Sequence, residues 1–208
     1  MKFENGQHLT VLGQTGSGKT YWVRNSLIPL WRRVIVADTE DIDYGNLPVV
    51  KTKKALELAK GDKAFRVRVV FSGNPAVDEP AMEDLCYGLL DVGHDLLFVV
   101  DEATDFSDAH RIPDGLRALV RKARKRNITV AMATQRPAML SKDVLTQSVH
   151  RVYFYLPDYD RAAVKPWAPW MEEAMPQAPY KSFLFIYQSP DGSWRVYQSY
   201  GKGEKESV

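Results

Sequence analysis

Three short groups of residues in this sequence have the types and spacing to do chemistry. The first is Gly13-Gln14-Thr15-Gly16-Ser17-Gly18-Lys19-Thr20, which fits G-x-x-x-x-G-K-[ST] at every fixed position. Such glycines let the backbone curl until successive N–H groups point inward at a polyphosphate. A helix opening at that point adds the positive end of its dipole. Lys19 supplies a point charge for the β and γ phosphates, and Thr20 a hydroxyl for Mg²⁺. The pattern predicts a nucleoside triphosphate, ATP by preference, and leaves the base unread.

The second group is Asp101-Glu102, closing the apolar run Leu96-Leu97-Phe98-Val99-Val100. A buried strand delivers such carboxylates to its C-terminal edge, where parallel sheets bind ligands. Asp101 would act on Mg²⁺ through water, and Glu102 would orient and deprotonate an attacking water. An acidic pair after an apolar run is also an ordinary strand end. The phosphate loop about 80 residues earlier favours a metal-and-water site. The third group is Gln135, in Ala133-Thr134-Gln135-Arg136-Pro137 directly after the apolar stretch Ile128–Met132. Its amide has a donor end, an acceptor end and the length to reach a γ-phosphate or its water. A turn opened by Pro137 is the plain alternative.

These residues need elements to position them. His8–Leu12 reads as a strand before the glycine loop, and Thr20–Ile28 as a helix that stops before Pro29. Val34–Ala37, Arg66–Phe71, Leu96–Val100, Ile128–Ala133 and Val149–Leu156 read as further strands. Helical spacing marks Thr52–Lys60, Glu79–Leu90 and Pro113–Arg126, the last with Pro113 in its first turn. The alternation predicts an α/β fold with a mostly parallel sheet. Residues 167–179 are proline-rich and loop-like. Lys181–Gln188 and Ser193–Ser199 flank the turn signal Pro190-Asp191-Gly192 and predict a C-terminal β-hairpin. Residues 1–200 read as one domain and 201–208 as a disordered polar tail.

Composition sets bounds. The chain has 208 residues, 45% hydrophobic and 26% charged, with a net charge of +2, so nucleic-acid binding cannot rest on bulk charge. Cys86 is the single cysteine, which excludes an intrachain disulfide and suggests a reducing compartment. His8, His94, His110 and His150 lack zinc-site spacing and read as ordinary surface or core residues. No apolar run approaches a membrane span, and the N-terminus lacks a signal-peptide core, so stable membrane insertion is not expected. Asp38 reads either as a helper of the phosphate site or as a strand-end cap. Lys51, Lys53, Lys54, Lys60 and Lys63 read as a solvated face, with a DNA-facing surface as the alternative. Trp167 and Trp170 read as packing for a C-terminal lid, with partner docking as the alternative.

The glycine loop, Val99-Val-Asp-Glu-Ala-Thr-Asp-Phe106, Arg121-Lys-Ala-Arg-Lys-Arg-Asn-Ile-Thr-Val130 and Ala133-Thr-Gln-Arg-Pro137 together resemble the HerA–FtsK superfamily of DNA-pumping ATPases. Order and spacing agree from about residue 8 to 165. The resemblance implies a P-loop three-layer sandwich of the additional-strand, catalytic-glutamate type. It also implies double-stranded DNA as partner and a homo-oligomeric ring, pentamer or hexamer. The short length is more similar to the genome-packaging ATPases of membrane-containing icosahedral viruses with double jelly-roll capsids. That likeness implies packaging of viral DNA into a preformed capsid and capsid or vertex membrane proteins as partners. It implies a place in the host cytoplasm or at the virion's packaging vertex. A cellular HerA-like or conjugation-coupling pump is the alternative, as is a low-turnover nucleotide-binding assembly switch, against which Glu102 argues. The family places a trans-acting arginine in Gly-Arg-Lys before the Thr-Gln-Arg-Pro strand. Alignment on Ala133 puts Arg124 there, with Ala123 in place of the glycine. Helical spacing sets Arg117, Arg121 and Arg124 on one line, which makes Arg121 the second candidate. A solvated basic face or a DNA-phosphate contact is the other reading of this helix.

Overall fold

The computed structural model describes Met1, residues 3–41 and residues 44–199. The tail expected over 201–208 lies outside the described residues. The strands are β1 (His8–Leu12), β2 (Arg33–Asp38), β3 (Phe65–Val70), β4 (Leu97–Val100), β5 (Thr129–Thr134), β6 (Ser148–Tyr153), β7 (Leu184–Gln188) and β8 (Trp194–Gln198). They form one sheet in the order β3-β2-β4-β5-β1-β6-β7-β8. The pairings among β1 to β6 are all parallel, while β7 runs antiparallel to β6, and β8 to β7. The mostly parallel α/β sheet and its C-terminal hairpin are as the sequence predicts. β5 stands between the glycine-loop strand β1 and the acid-bearing strand β4, and so is the additional strand.

Alternation along the buried strands builds two cores. Val34, Val36, Leu97, Val99, Ala131 and Ala133 face one side with Trp22, Leu27 and Trp31. Ile35, Ala37, Phe98, Val100, Val130 and Met132 face the other with Leu85, Leu89, Leu116 and Leu119. Burial on both faces explains why these strands read as continuous apolar runs. β3 lies at the sheet edge, and its arginines Arg66 and Arg68 alternate with buried Val67 and Val69.

The helices are α1 (Lys19–Trp22), α2 (Thr52–Lys60), α3 (Pro75–Val92), α4 (Asp114–Lys122), α5 (Lys142–Gln147), α6 (Asp158–Val164) and α7 (Met171–Ala174). Several differ from the sequence expectation for local reasons. The helical run from Lys19 does not stop before Pro29. It widens to a π-type turn over Val23–Leu27 and tightens to a 3₁₀ turn over Ile28–Leu30, where Pro29 sits in the first turn and needs no N–H donor. α3 starts earlier than Glu79 because Asn74 caps it, accepting from Ala76 N at 3.1 Å, with Pro75 as first helical residue. Pro113 stands at the N-cap position just ahead of α4, not in its first turn, and makes no side-chain capping bond. α4 ends at Lys122, and Ala123–Arg126 tighten into a 3₁₀ turn closed by Asn127 at φ 55°. Arg124 therefore leaves the line of Arg117 and Arg121.

Residues 167–179 are not all loop, since α7 and the 3₁₀ turn Met175–Gln177 lie within them. Trp170 stacks on Trp194 at 5.1 Å and meets Tyr153 edge-on at 5.8 Å, so it packs the C-terminal layer. β6 ends at Tyr153, short of Leu156, and β7 begins only at Leu184. Among the described residues no helix is long and apolar enough to cross a membrane.

Candidate active site

The glycine loop leaves the C-terminal end of β1, as its pattern requires. Gly13 N donates to Thr134 O at 3.2 Å and Gln14 N to Tyr155 O at 2.9 Å, which ties the loop to its neighbours β5 and β6. A Cβ on Gly13 would stand 2.6 Å from Phe154 Cβ, so no larger residue fits. Gly16 and Gly18 lie at φ 74° and 106°, where side chains are disfavoured. Gly18 precedes α1 directly. Lys19 is buried at the start of α1, with Nζ 3.4 Å from Gln14 O. Burial pulls its pKa down, opposed by the carboxylates of Glu102, Asp101 and Glu40.

β4 and β5 end beside this loop. Asp101 follows β4 and is 4% exposed. Burial pushes its carboxyl up to about 6, against the Tyr44 hydroxyl and with added repulsion from Asp38 and Glu40. Asp101 Oδ2 is buried and has no partner of hydrogen-bond geometry among the described residues. An orphaned carboxylate oxygen beside a phosphate loop fits Mg²⁺, which takes one or two protein oxygens and completes its shell with phosphates and water. Among the described residues no trio of acidic, histidine or cysteine side chains forms a metal cage, and such a site needs none.

Glu102 sits at φ 49°, ψ 69°. That turn aims its carboxylate across the tip of β5. Oε1 accepts from Thr134 Oγ1 at 2.8 Å and from Thr104 Oγ1, while Oε2 accepts from Gln135 N at 3.1 Å. Gln135 Oε1 in turn accepts from Thr15 Oγ1 of the glycine loop. Glu40, Glu102, Thr104, Gln135 and Arg136 line a cleft of about 360 Å³. Lys19, Asp101, Glu102 and Gln135 are thus gathered at one edge of the sheet from three separate strand ends. Sequence reasoning missed the threonines at 104 and 134, whose types and spacing carry no signal. It also missed Tyr44, buried beside Asp101 with its own pKa driven up by burial.

The other candidates fall elsewhere. Asp38 is fully buried and pairs with Arg68 at 2.8 Å, while its Oδ1 accepts from Glu40 N at 3.2 Å. It is a strand-end cap and ion-pair partner. Arg117 and Arg121 both pair with Asp143, at 3.4 and 2.7 Å. Arg124 packs on Gly6, ahead of β1, at the sheet edge opposite the glycine loop.

The chain has a P-loop NTPase fold with an additional strand between its loop strand and its acidic strand. No family model matches the chain. The chain is 28% identical over 144 residues to Protein P9 of Pseudoalteromonas phage PM2, matching 67% of its own length and 64% of that protein. It therefore spans less than two thirds of that relative. The genome packaging NTPase B204 of Sulfolobus turreted icosahedral virus 2, solved with ATPγS, superposes with a TM-score of 0.74. Identity is 15%, over 94% of this chain and 98% of that one. The bacterial conjugative coupling protein TrwB superposes at 0.57 with 10% identity, over 93% and 77%. The fold is shared with these two solved structures, as the motif resemblance implies.

Proposed function

We propose that this chain is a Mg²⁺-dependent ATPase that works as a homo-oligomeric ring and drives double-stranded DNA into a preformed viral capsid. The observation that carries the reading is the convergence of Lys19, Asp101, Glu102 and Gln135 on one sheet edge. The fold likeness to a viral genome-packaging NTPase supports the setting, and with it a docking partner among capsid or vertex membrane proteins.

The loop amides of Gly13–Thr20 and Lys19 hold the phosphates. Thr20 and Asp101 would hold Mg²⁺, which would neutralise charge on the phosphates. Glu102 takes the proton of the attacking water, and Gln135, whose Oε1 accepts from Thr15 Oγ1, donates from Nε2 to the γ-phosphate. Arg124 enters a neighbouring subunit's site and stabilises the transferring phosphoryl group. Hydrolysis removes the γ-phosphate contacts, and the interface reopens. The test is ATP hydrolysis by the purified protein with double-stranded DNA, against Lys19→Ala. DNA-stimulated turnover absent from Lys19→Ala supports the reading; equal rates in the two end it.

A further inference from the structure

Residues 178–183 cross from the 3₁₀ turn after α7 to β7 and lie against the glycine loop. Tyr180 Oη donates to Thr15 O at 3.2 Å and would stand 3.2 Å from a Cβ on Gly16. Its ring is already engaged, 5.4 Å from Tyr155 and under Lys181 Nζ at 5.4 Å. Ser182 N and Oγ donate to Pro179 O at 3.1 and 2.6 Å, and Ser199 N donates to Phe183 O at 2.7 Å. The strap is therefore pinned at both ends. Within it Lys181 and Phe183 stand at φ 61° and 56°, a left-handed conformation uncommon for such residues and typical of ligand clamps.

The pinning holds one phenyl ring in solvent. Phe183 is 47% exposed, with Cδ1 3.4 Å from where a Cβ on Gly18 would stand. No other ring stacks on it among the described residues. Its place in the sheet order gives it a use. The carboxylates come from β4 and Gln135 from β5, on one side of β1, whereas the strap enters β7 on the other side, beyond β6. A triphosphate whose γ end faces Glu102 has its ribose and base leaving toward the strap.

We propose that Phe183 is the platform on which the nucleotide base stacks, with Tyr180 as the anchor that holds the platform to the phosphate loop. This rests on the nucleotide-binding reading above and adds the subsite for the base. Stacking accepts any base face, so adenine and guanine are held alike.

The test is calorimetric binding, with Mg²⁺, of ATPγS, GTPγS and inorganic tripolyphosphate to the full chain and to Phe183→Ala, Phe183→Trp and Lys19→Ala. Phe183→Ala is expected to weaken both nucleotides by roughly 10- to 100-fold, the worth of one base–aromatic stack, and to leave tripolyphosphate unchanged. Phe183→Trp restores the nucleotides. Unchanged tripolyphosphate binding also certifies that the variant's loop is folded. Unaltered ATPγS binding by Phe183→Ala overturns the proposal, as does an equal loss of tripolyphosphate, which marks a structural role. If the wild-type chain binds tripolyphosphate and ATPγS no better than Lys19→Ala does, the nucleotide reading itself falls.

Discussion

Glu102 shows what single residues contribute and what a sequence can say of them. Its position after an apolar strand and beside an aspartate is legible, because the chemistry of a buried strand end is local. Its restraint is not, because Thr104 and Thr134 lie apart in the chain and meet only when β5 packs beside β4. Thr134 and Thr104 occupy the lone pairs of Oε1 and Gln135 N takes one on Oε2, which leaves one acceptor site on Oε2 for a water proton. Glu102→Gln tests the base directly. Gln keeps the size and one acceptor oxygen but cannot take a proton, and the glycine loop, Lys19, Thr20 and Asp101 are untouched. ATPγS affinity is expected to stay within a few-fold while turnover falls about 10²–10⁴-fold. Near-normal steady-state hydrolysis by this variant would assign the water to another residue.

At the level of elements, the long periodic segments were legible and the short ones were not. α2, α4 and the buried strands declare themselves by repeating apolar positions. α5, α6 and α7, at 6, 7 and 4 residues, span too few turns to show a period. The histidines also gain their meaning only from the elements they join. His8 Nδ1 accepts from Val130 N at 3.0 Å, so the proton sits on Nε2, which donates to Val120 O at 2.8 Å. One neutral ring thereby ties β1 to β5 and to α4. Burial pulls its pKa down to about 4. His150 lies between Tyr187 Oη and Gln7 Oε1, both at 2.7 Å, and burial takes it to about 4 as well. A histidine whose folded pKa lies below its unfolded value near 6.5 contributes stability that is present above 6.5 and lost as pH falls toward 4. The loss from His8 alone is about 3 kcal/mol once pH is below 4. Asp101, raised to about 6, works the other way over the same interval, but two histidines outweigh one carboxyl. Urea midpoints measured at pH 7.5, 5.5 and 4.5 should therefore fall with pH, and the fall should be smaller in His8→Gln. A flat series, or one unchanged by His8→Gln, would show that the buried ring is not what the acid attacks.

The whole molecule decides how Arg124 can act. A helical wheel put it in line with Arg117 and Arg121, and the structure separates them, because α4 gives way to a tighter turn at Ala123. Arg117 and Arg121 are held within the subunit by Asp143. Arg124 is exposed and packs on Gly6, at the end of the sheet where β1 begins, whereas the phosphate loop starts where β1 ends. A five-residue strand separates the two by roughly 3.3 Å per residue, beyond the reach of one side chain. Arg124 therefore cannot serve its own nucleotide, and a catalytic role requires a head-to-tail contact in which this end of one subunit meets the loop end of the next. Such an assembly makes a specific demand on mixtures. Arg124→Ala and Lys19→Ala proteins should each hydrolyse ATP poorly alone, because every interface lacks one of its two parts. Co-expressed before assembly, they form some interfaces in which the intact Arg124 of a Lys19→Ala subunit faces the intact loop of an Arg124→Ala subunit. An arginine supplied in trans is worth about 10³–10⁵ in rate, so even sparse productive interfaces raise hydrolysis well above either parent. An arginine that only contacts DNA phosphates gives no such rescue; its loss instead weakens DNA binding and flattens the salt dependence. Full ATPase activity in Arg124→Ala alone would end the trans assignment, and Arg121, freed by Asp143→Asn, would be the next residue to test.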